Sequence, residues 1–237
     1  MDLHTRSYEK ELMDGDQIPF ADMAQTLREL NTVNTRLGGH SITIDAVKDL
    51  WGDGKTIHIC EIGCGGGDNL QAIHNHFKRK NVRVRFTGID INQECISFAQ
   101  QQYSELPAEW ICSDYKLASF TDKPDIIFSS LFCHHFTDDQ IVQMLPWLQQ
   151  NSARGFFIND LQRNRLAYYL IKYITKFFSK SYLVKNDACL SVARSFRKQE
   201  WMQLFRKAGI AAPEIRWRWA FRYLVVSRNA NNSNSVR

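Results

Sequence analysis

The stretch from Ile57 to Leu70, read as I-H-I-C-E-I-G-C-G-G-G-D-N-L, constrains the fold of this chain more than any other. An apolar run ends at Glu61, four glycines follow between positions 63 and 67, and an amphipathic segment begins at Asn69. This order predicts a strand, a tight turn and the start of a helix, because glycine reaches backbone conformations closed to other residues. The spacing is G-x-G-x-G, whereas the dinucleotide fingerprint G-x-G-x-x-G would need a glycine where Asp68 stands.

Strands and helices alternate beyond this turn, which predicts an α/β fold with a doubly wound, mostly parallel sheet covered on both faces. The predicted strands are Ile57–Ile62, Val82–Asp90, Glu109–Cys112, Asp125–Ser130 and Gly155–Asn159, and the predicted helices are Asn69–Lys78, Glu94–Tyr103, Asp138–Gln149 and Ser195–Ala208. Two further strands, Glu214–Trp219 and Phe221–Ser227, follow each other so closely that they predict a tight hairpin and an antiparallel edge.

Two segments stand outside this alternation and are predicted to form helical lids over the carboxyl ends of the strands. Apolar residues recur at helical spacing in Phe20–Leu37 and in Arg163–Lys180, the core of a longer insertion. The predicted division is an N-terminal helical lid at 1–50, a core at 51–228 with a helical insertion at about 160–195, and a flexible tail at 229–237.

The composition is that of a globular protein with a single core. The 237 residues suit one core with elaborations, the net charge of +5 is mild, and 44% of the residues are hydrophobic. No run approaches the roughly 20 apolar residues of a membrane span, and the polar N-terminus does not resemble a signal peptide. The six cysteines form no CxxC pair, which predicts reduced thiols, a cytoplasmic protein and no metal site.

Acidic residues follow the next two strands, Asp90 in R-F-T-G-I-D and Asp114 in W-I-C-S-D. A carboxylate at the first position can accept two hydrogen bonds from a ribose diol. With these residues in place, the chain resembles the class I S-adenosylmethionine-dependent methyltransferases. The segment Glu61–Gly67 matches that family's E/D-x-G-x-G-x-G motif, Asp90 its acidic residue ending the second strand, and Ser113-Asp114 its acidic position after the third. The resemblance covers about 51–228 and implies a seven-stranded Rossmann-like sheet with an antiparallel last strand.

The resemblance implies S-adenosylmethionine as the cofactor and assigns the glycine turn to its methionine part. Gly63, Gly65 and Gly67 would shape the loop beneath it, with Cys64 inside that loop. Glu61 would orient the loop and meet the amino group, directly or through water. The alternative for the glycines is a tight turn without a ligand.

The nucleoside part would meet the ends of the later strands. By the same resemblance, Asp90 would hold the ribose hydroxyls, Ile91 would pack on the adenine, Asp114 would receive its amino group and Tyr115 would flank the ring. Ser130, at the end of the fourth strand, completes the predicted cofactor set. The alternatives are a helix cap for Asp90 and an Asx turn for Asp114.

Candidate groups for the methyl acceptor follow the fourth and fifth strands. The fourth ends in S-S-L-F-C-H-H-F rather than the D/N-P-P-Y/F of family members that methylate adenine or amide nitrogen. Either His134 or His135 could act as a base, since imidazole titrates near neutrality; the alternative is a helix cap and an exposed ring. Asp160 after the fifth strand either caps the following helix or orients an imidazole, the cap being favoured.

These features predict a methyltransferase acting on a small hydrophobic or aromatic metabolite, at oxygen or less readily at carbon. Aromatic residues of the second lid favour a flat or apolar acceptor. Methylation of RNA or protein is the alternative, although no nucleic-acid-binding appendage is visible and acidic residues dilute the basic ones. Peripheral membrane contact through the second lid is not favoured, because a few cations along a helix are common on solvated faces. The oligomeric state is left open.

Overall fold

A computed structural model describes residues 3–15 and 18–229 of the chain. Its centre is a seven-stranded sheet in the order β3-β2-β1-β4-β5-β7-β6. The strands are β1 Thr56–Ile62, β2 Arg83–Asp90, β3 Ala108–Cys112, β4 Ile126–Ser130, β5 Gly155–Leu161, β6 Glu214–Arg218 and β7 Arg222–Arg228. Neighbours from β3 to β5 pair in parallel, while β7 is antiparallel to both β5 and β6. The predicted fold class, including the antiparallel last strand, is confirmed.

Eight α-helices cover the sheet and its carboxyl edge within the described residues. They are α1 Phe20–Arg36, α2 Gly39–Trp51, α3 Asp68–Lys78, α4 Gln93–Gln102, α5 Asp138–Asn151, α6 Arg165–Phe178, α7 Tyr182–Arg194 and α8 Lys198–Lys207. Thr137 is the N-cap of α5 and forms a capping box with Gln140. The Thr137 hydroxyl accepts from the Gln140 backbone amide, and the Gln140 side-chain oxygen accepts from the Thr137 backbone amide. None of the helices in the described ranges is long and apolar enough to cross a bilayer.

The two faces of the sheet bury separate apolar clusters. On one face, Met144 and Leu148 of α5 meet Trp201 of α8 and the inward side chains of β4 and β5. On the other, Val47 of α2 and Phe77 of α3 join the opposite side chains of the same strands. The alternation of side chains along each strand therefore feeds both layers.

Two helices differ from the sequence predictions. The helix α2, which the sequence pattern does not predict, buries Ile42, Ala46 and Leu50 against the sheet. The helix predicted at Ser195–Ala208 begins three residues later, at Lys198, because Arg197 is its N-cap and the backbone from Ser195 to Arg197 is extended.

The remaining limits of the predicted domains stay predictions. α1 lies across the carboxyl edge, and α6 and α7 form the insertion after β5 as an antiparallel pair. Apart from Asn229, the predicted tail lies outside the described residues. The Asn229 side chain donates to the Gln149 and Ser152 carbonyls.

Candidate active site

The glycine turn joins β1 to α3 and is held from behind by aromatic rings. Gly63, Gly65 and Gly67 all have positive φ, at 64°, 50° and 79°. A Cβ at Gly63 would lie 2.1 Å from the Phe132 ring and one at Gly67 would lie 2.4 Å from the Trp110 ring. A Cβ at Gly65 would meet only Leu27, at 3.6 Å. Two glycines are therefore needed for packing, whereas Gly65 keeps space open above the turn.

Asp90 connects the glycine turn to the end of β2. Its carboxylate accepts from the Gly65 amide at 2.8 Å and from the Asn92 amide at 2.9 Å. Burial raises the pKa of Asp90, while the hydrogen bonds from these amides oppose the shift. The helix that follows is capped by Asn92, not by Asp90, so the alternative of a helix cap is set aside. The carboxylate is thus held at the carboxyl edge where β1 and β2 end.

A cavity of about 800 Å³ opens above this turn. It lies where the strand order reverses between β1 and β4, the usual ligand crevice of open α/β sheets. Its volume is within the range of small-molecule sites, about 300–1,000 Å³. Eight of the predicted site residues line it: Glu61, Gly63, Cys64, Gly65, Asp90, Ile91, Ser130 and His135. α1 contributes Met23, Leu27, Leu30 and Asn34 to its wall.

Two buried polar atoms at the cavity have no hydrogen-bond partner among the described residues, Glu61 Oε2 and Ser130 Oγ. The other oxygen of Glu61 accepts from Asn69 Nδ2 at 2.8 Å. Burial and the nearby Asp68 carboxylate raise the pKa of Glu61 well above its ordinary value. A bound cation with hydrogen-bond donors would relieve both the burial and the repulsion. An ammonium group fits this corner of the cavity.

Three of the predicted residues, two after β3 and one after β1, do not line the cavity. Asp114 accepts from the Lys116 amide at 3.0 Å and caps the short turn Tyr115–Leu117, which is the Asx-turn alternative. Tyr115 packs edge-on against Trp147 with ring centroids 5.0 Å apart, in the core beneath the edge. Neither residue lines the cavity, and Gly67 faces Trp110 instead. Ile91, in contrast, lines the cavity and is exposed, so its side chain is available to pack against a ligand ring.

The two histidines after β4 occupy different environments. His134 is 2% exposed, and its Nδ1 lies 2.7 Å from Asp160 Oδ1. Its backbone amide donates to the second oxygen of Asp160 at 3.0 Å. Burial alone would raise the pKa of Asp160, but the charge and hydrogen bond of His134 hold it below its ordinary value. α6 is capped by Asn164. The favoured expectation that Asp160 caps this helix is therefore wrong, and its alternative, orientation of an imidazole, is observed.

His135 lines the cavity and is held by a residue that the sequence analysis missed. Its Nδ1 lies 2.8 Å from Asp14 Oδ1, on the N-terminal segment that crosses this edge. Burial opposes ionisation of Asp14, but His135 and Arg194 together lower its pKa. A neutral imidazole that donates from Nδ1 to this carboxylate has an unprotonated Nε2.

Glu11, also missed, lies between the two rings. Its oxygens are 3.5 Å from His134 Nε2 and 3.8 Å from His135 Nε2, and it is 4% exposed. Burial is the main cause that raises the pKa of Glu11 to about 7. The spacing E-x-x-D at 11–14 was the available signal, but nothing in the sequence places this polar segment beside residues 134 and 135.

Glu11, His134 and His135 have the residue types and spacing of a metal site. However, the Arg194 guanidinium lies 3.9 Å from Glu11 and 3.6 Å from Asp14. It also donates to the His134 and His135 carbonyls. A cationic group is therefore already part of this cluster, and we interpret it as a proton-sharing network. That no metal is used stays a prediction.

The geometry described so far defines a class of protein: an open, doubly wound α/β fold in which a carboxylate bonded to the glycine turn and an imidazole line the same cavity. Comparison with known proteins agrees with this class. Residues 59–152, less than half of the chain, match the family model described as "Methyltransferase domain". The predicted resemblance to S-adenosylmethionine-dependent methyltransferases is confirmed, and it rests on residues 59–152, the part of the chain that matches this model.

A curated relative is the malonyl-[acyl-carrier protein] O-methyltransferase of Anoxybacillus flavithermus, 31% identical over 72 residues. The match covers 30% of this chain and 26% of that protein, so it spans about a quarter of the relative's length.

Solved structures of methyltransferases share the fold across most of the chain. Human N-acetylserotonin methyltransferase in complex with S-adenosylmethionine has a TM-score of 0.64 at 15% identity, covering 89% of this chain and 56% of that one. A methyltransferase from Aquifex aeolicus has a TM-score of 0.61 at 14% identity, covering 90% and 99%. The plantazolicin methyltransferase BpumL has a TM-score of 0.60 at 21% identity, covering 85% and 75%.

Proposed function

We propose that this chain is an S-adenosylmethionine-dependent methyltransferase that acts on a small apolar or aromatic acceptor, at oxygen. The observation that carries the proposal is the cavity at the strand-order reversal, where the Asp90 carboxylate and the Gly65 amide are joined and unpartnered Glu61 and Ser130 atoms face inward. Asp90 would hold the ribose hydroxyls and Glu61 the ammonium group, with Ile91 against the adenine. The cofactor supplies an electrophilic methyl group on a sulfonium.

Asp114 and Tyr115 enter the proposal only as supports for the adenine side, since neither lines the cavity. Tyr115 and Trp147 hold the turn after β3 from the core. The backbone of that turn, rather than the Asp114 carboxylate, would then be nearest to the adenine edge.

His135 is the proposed general base. It is the histidine that lines the cavity, and Asp14 fixes its ring through Nδ1, so Nε2 can take the proton of an acceptor hydroxyl. Asp14 would stabilise the imidazolium that forms. His134, buried and bound to Asp160, would position this loop rather than touch the acceptor. The walls from Met23, Leu27 and Phe136 would exclude water from the reacting atoms.

The nature of the relatives supports an oxygen acceptor, since the curated relative is named for transfer to oxygen. Two arginines that a groove for RNA could use are engaged elsewhere. Arg194 is buried beneath the histidine loop, and Arg216 pairs with Glu214 and Asp49. A small acceptor is therefore preferred to RNA or protein.

Titration calorimetry with S-adenosylhomocysteine tests the cofactor site. The wild type should bind, and Asp90→Ala should weaken binding at least about 100-fold, because it removes two charge-assisted hydrogen bonds worth about 1.5–3 kcal/mol each. Asp122→Ala, which changes an exposed carboxylate before β4, should bind like the wild type. Absence of binding to the wild type, or equal affinity of Asp90→Ala, would contradict the proposed site.

The base is tested with radiolabelled S-adenosylmethionine and a panel of alkylphenols, hydroxyquinones and fatty acids. With any accepted compound, His135→Gln should lower the rate of transfer about 10²–10⁴-fold while affinity for S-adenosylhomocysteine stays within about twofold. His74→Gln on α3 is the matched control. A His135→Gln enzyme as fast as the wild type would remove this residue from catalysis.

A further inference from the structure

The helix α6 exposes an apolar face that is unusual for a water-surrounded helix. Its exposed large apolar residues are Leu166 59%, Tyr169 46%, Leu170 45%, Tyr173 58%, Ile174 41%, Phe177 72% and Phe178 82%. Single exposed apolar residues are common, but a contiguous set marks a surface that is covered in use. Tyr182, 52% exposed at the start of α7, extends the same set.

Helical geometry places these residues together. Leu166, Leu170, Tyr173 and Phe177 recur at i, i+4, i+7 and i+11, which forms one stripe along the helix. The buried residues of α6, Ala167 and Thr175, recur at i and i+8 and lie outside this stripe. The large apolar side chains of α6 therefore point away from the protein, the opposite of what is usual for a surface helix.

Cations border this apolar face. Arg165, Lys172 and Lys176 are exposed, recur at i, i+7 and i+11, and therefore form a row along one edge of the stripe. Exposed Lys180 continues the row beyond the end of the helix. The sequence of α6 contains no aspartate or glutamate. The surface formed by α6 and Lys180 thus combines apolar and positively charged groups only.

Two exposed tryptophans lie beside the start of α6. Trp217, near the end of β6, and Trp219, in the β6–β7 turn, are 54% and 71% exposed. This turn contacts the connection from β5 to α6, since Trp217 Nε1 donates to Gln162 Oε1 and the Gln162 amide donates to the Phe221 carbonyl. Tryptophan, with an apolar body and one N–H, favours the boundary between lipid and water.

We propose that α6 docks this protein on the surface of a bilayer containing anionic lipid, with Trp217 and Trp219 at the border of the contact. Charge complementarity selects this occupant. A second copy of the chain would bring the same acid-free cationic row against itself, whereas an anionic lipid surface meets the cations with headgroups and the apolar stripe with acyl chains.

The docking surface goes beyond the proposed methyl transfer and does not require it. It bears on the acceptor because α6 adjoins the wall of the cavity. Glu29 of α1 accepts from the Ser179 hydroxyl at 2.5 Å and from the Lys180 and Ser181 amides at 2.9 and 3.0 Å, in the turn that ends α6. The proposed membrane-facing helix is thereby joined to α1, which forms one wall of the cavity.

Co-sedimentation of the full chain with phospholipid vesicles tests the proposal, without cofactor or acceptor. The probes are phosphatidylcholine vesicles and vesicles in which about one third of the lipid is phosphatidylglycerol, whose charge attracts basic groups. The wild type should bind the anionic vesicles more tightly. Lys172→Glu/Lys176→Glu should weaken that binding by at least about fivefold for each cation and leave binding to phosphatidylcholine unchanged.

The apolar stripe is tested by Tyr173→Ser/Phe177→Ser, which should lower binding to both vesicle types at least about tenfold because it removes buried apolar area. Tyr8→Ser, at a residue 58% exposed in the N-terminal segment, and Lys207→Glu, in α8, are the matched controls and should bind as the wild type does. Far-ultraviolet dichroism and S-adenosylhomocysteine titration of every variant show that the fold and the cofactor site are retained.

Two outcomes would overturn the proposal. One is a wild type that does not sediment with anionic vesicles, or variants of α6 that sediment equally well. The other is sedimentation velocity that shows a dimer lost in Tyr173→Ser/Phe177→Ser together with no vesicle binding, which would assign the face to a second copy. Either result leaves the cofactor titration untouched, so failure of docking and failure of the proposed methyl transfer are distinguishable.

Discussion

At the scale of single residues, the site depends on carboxyl groups placed where water cannot reach them. Glu11, Asp160 and Glu61 are each 4% exposed or less. Their protonation follows from their partners: His134 favours the ionised form of Asp160, whereas burial and a neighbouring carboxylate favour the protonated form of Glu61. The edge of the sheet thus holds buried carboxyl groups whose pKa values are shifted in opposite directions.

Glu11 makes the stability of the fold depend on pH. Its pKa is raised from 4.5 to about 7, so below pH 4.5 it is neutral in both states and carries no penalty. As the pH rises from 4.5 to 7, the unfolded chain loses this proton first and stability is lost. Glu11→Gln replaces the titrating carboxyl with a neutral amide. Between about pH 5 and about pH 8, the free energy of unfolding of this variant should therefore rise by up to about 3 kcal/mol relative to that of the wild type.

Urea unfolding at the two pH values measures this difference. Glu9→Gln, two residues earlier and exposed, is the control and should follow the wild type at both. A difference in free energy of unfolding between Glu11→Gln and the wild type that stays constant across this pH range would contradict the prediction.

At the scale of elements, the turn between β1 and α3 separates packing from binding. Gly63 and Gly67 face aromatic rings that close the turn from behind, and Gly65 faces the cavity. All three glycines have a positive φ, which would strain any other residue at each position. The three positions therefore differ only in the atoms that an added Cβ would contact.

Alanine substitutions should show this separation. Gly67→Ala should lower the free energy of unfolding by more than about 3 kcal/mol, since a left-handed backbone costs about 1–2 kcal/mol and the clash with Trp110 adds overpacking. Gly65→Ala should cost only the strain of about 1–2 kcal/mol, yet reduce affinity for S-adenosylhomocysteine. Gly38→Ala, with φ of 76° and no atom near the added Cβ, calibrates the strain alone. Equal losses in all three would argue that only the backbone matters.

At the scale of the whole molecule, the N-terminal segment 3–15 ties the insertion to the core. The Arg6 guanidinium pairs with Asp138 at 2.6 Å and lies over the Phe196 ring at 3.7 Å. Asp187 of α7 accepts from the Leu12 and Met13 amides at 2.9 and 3.0 Å. Residues far apart in sequence therefore hold Glu11 and Asp14 beside the cavity.

Asp187→Ala should release this segment. Loss of a buried carboxylate leaves two amides without their acceptor, at about 1–3 kcal/mol each. Hydrogen exchange should show faster exchange of the Leu12 and Met13 amides, while the strands keep their protection. Asp45→Ala, at an exposed position on α2, serves as the reference. Unchanged exchange at these two amides would mean that other contacts fix the segment.

The sheet could be predicted from the sequence because its information is local. Each strand is a short apolar run bounded by turn residues, and the glycine spacing with Asp90 placed the cofactor edge. α2 was missed because its pattern follows directly on α1 and two glycines interrupt the reading. Glu11 and Asp14 could not be placed, because their contacts with His134 and His135 span more than a hundred residues and follow no periodicity. The exposure of the α6 stripe was likewise invisible, since an apolar periodicity does not say which way the face turns.

The carboxylate of Glu29 fastens the roof of the cavity to the end of α6. A displacement of either helix would therefore strain the three hydrogen bonds that Glu29 accepts from residues 179 to 181. If α6 docks as proposed, the same three hydrogen bonds join the membrane contact to the wall of the cavity.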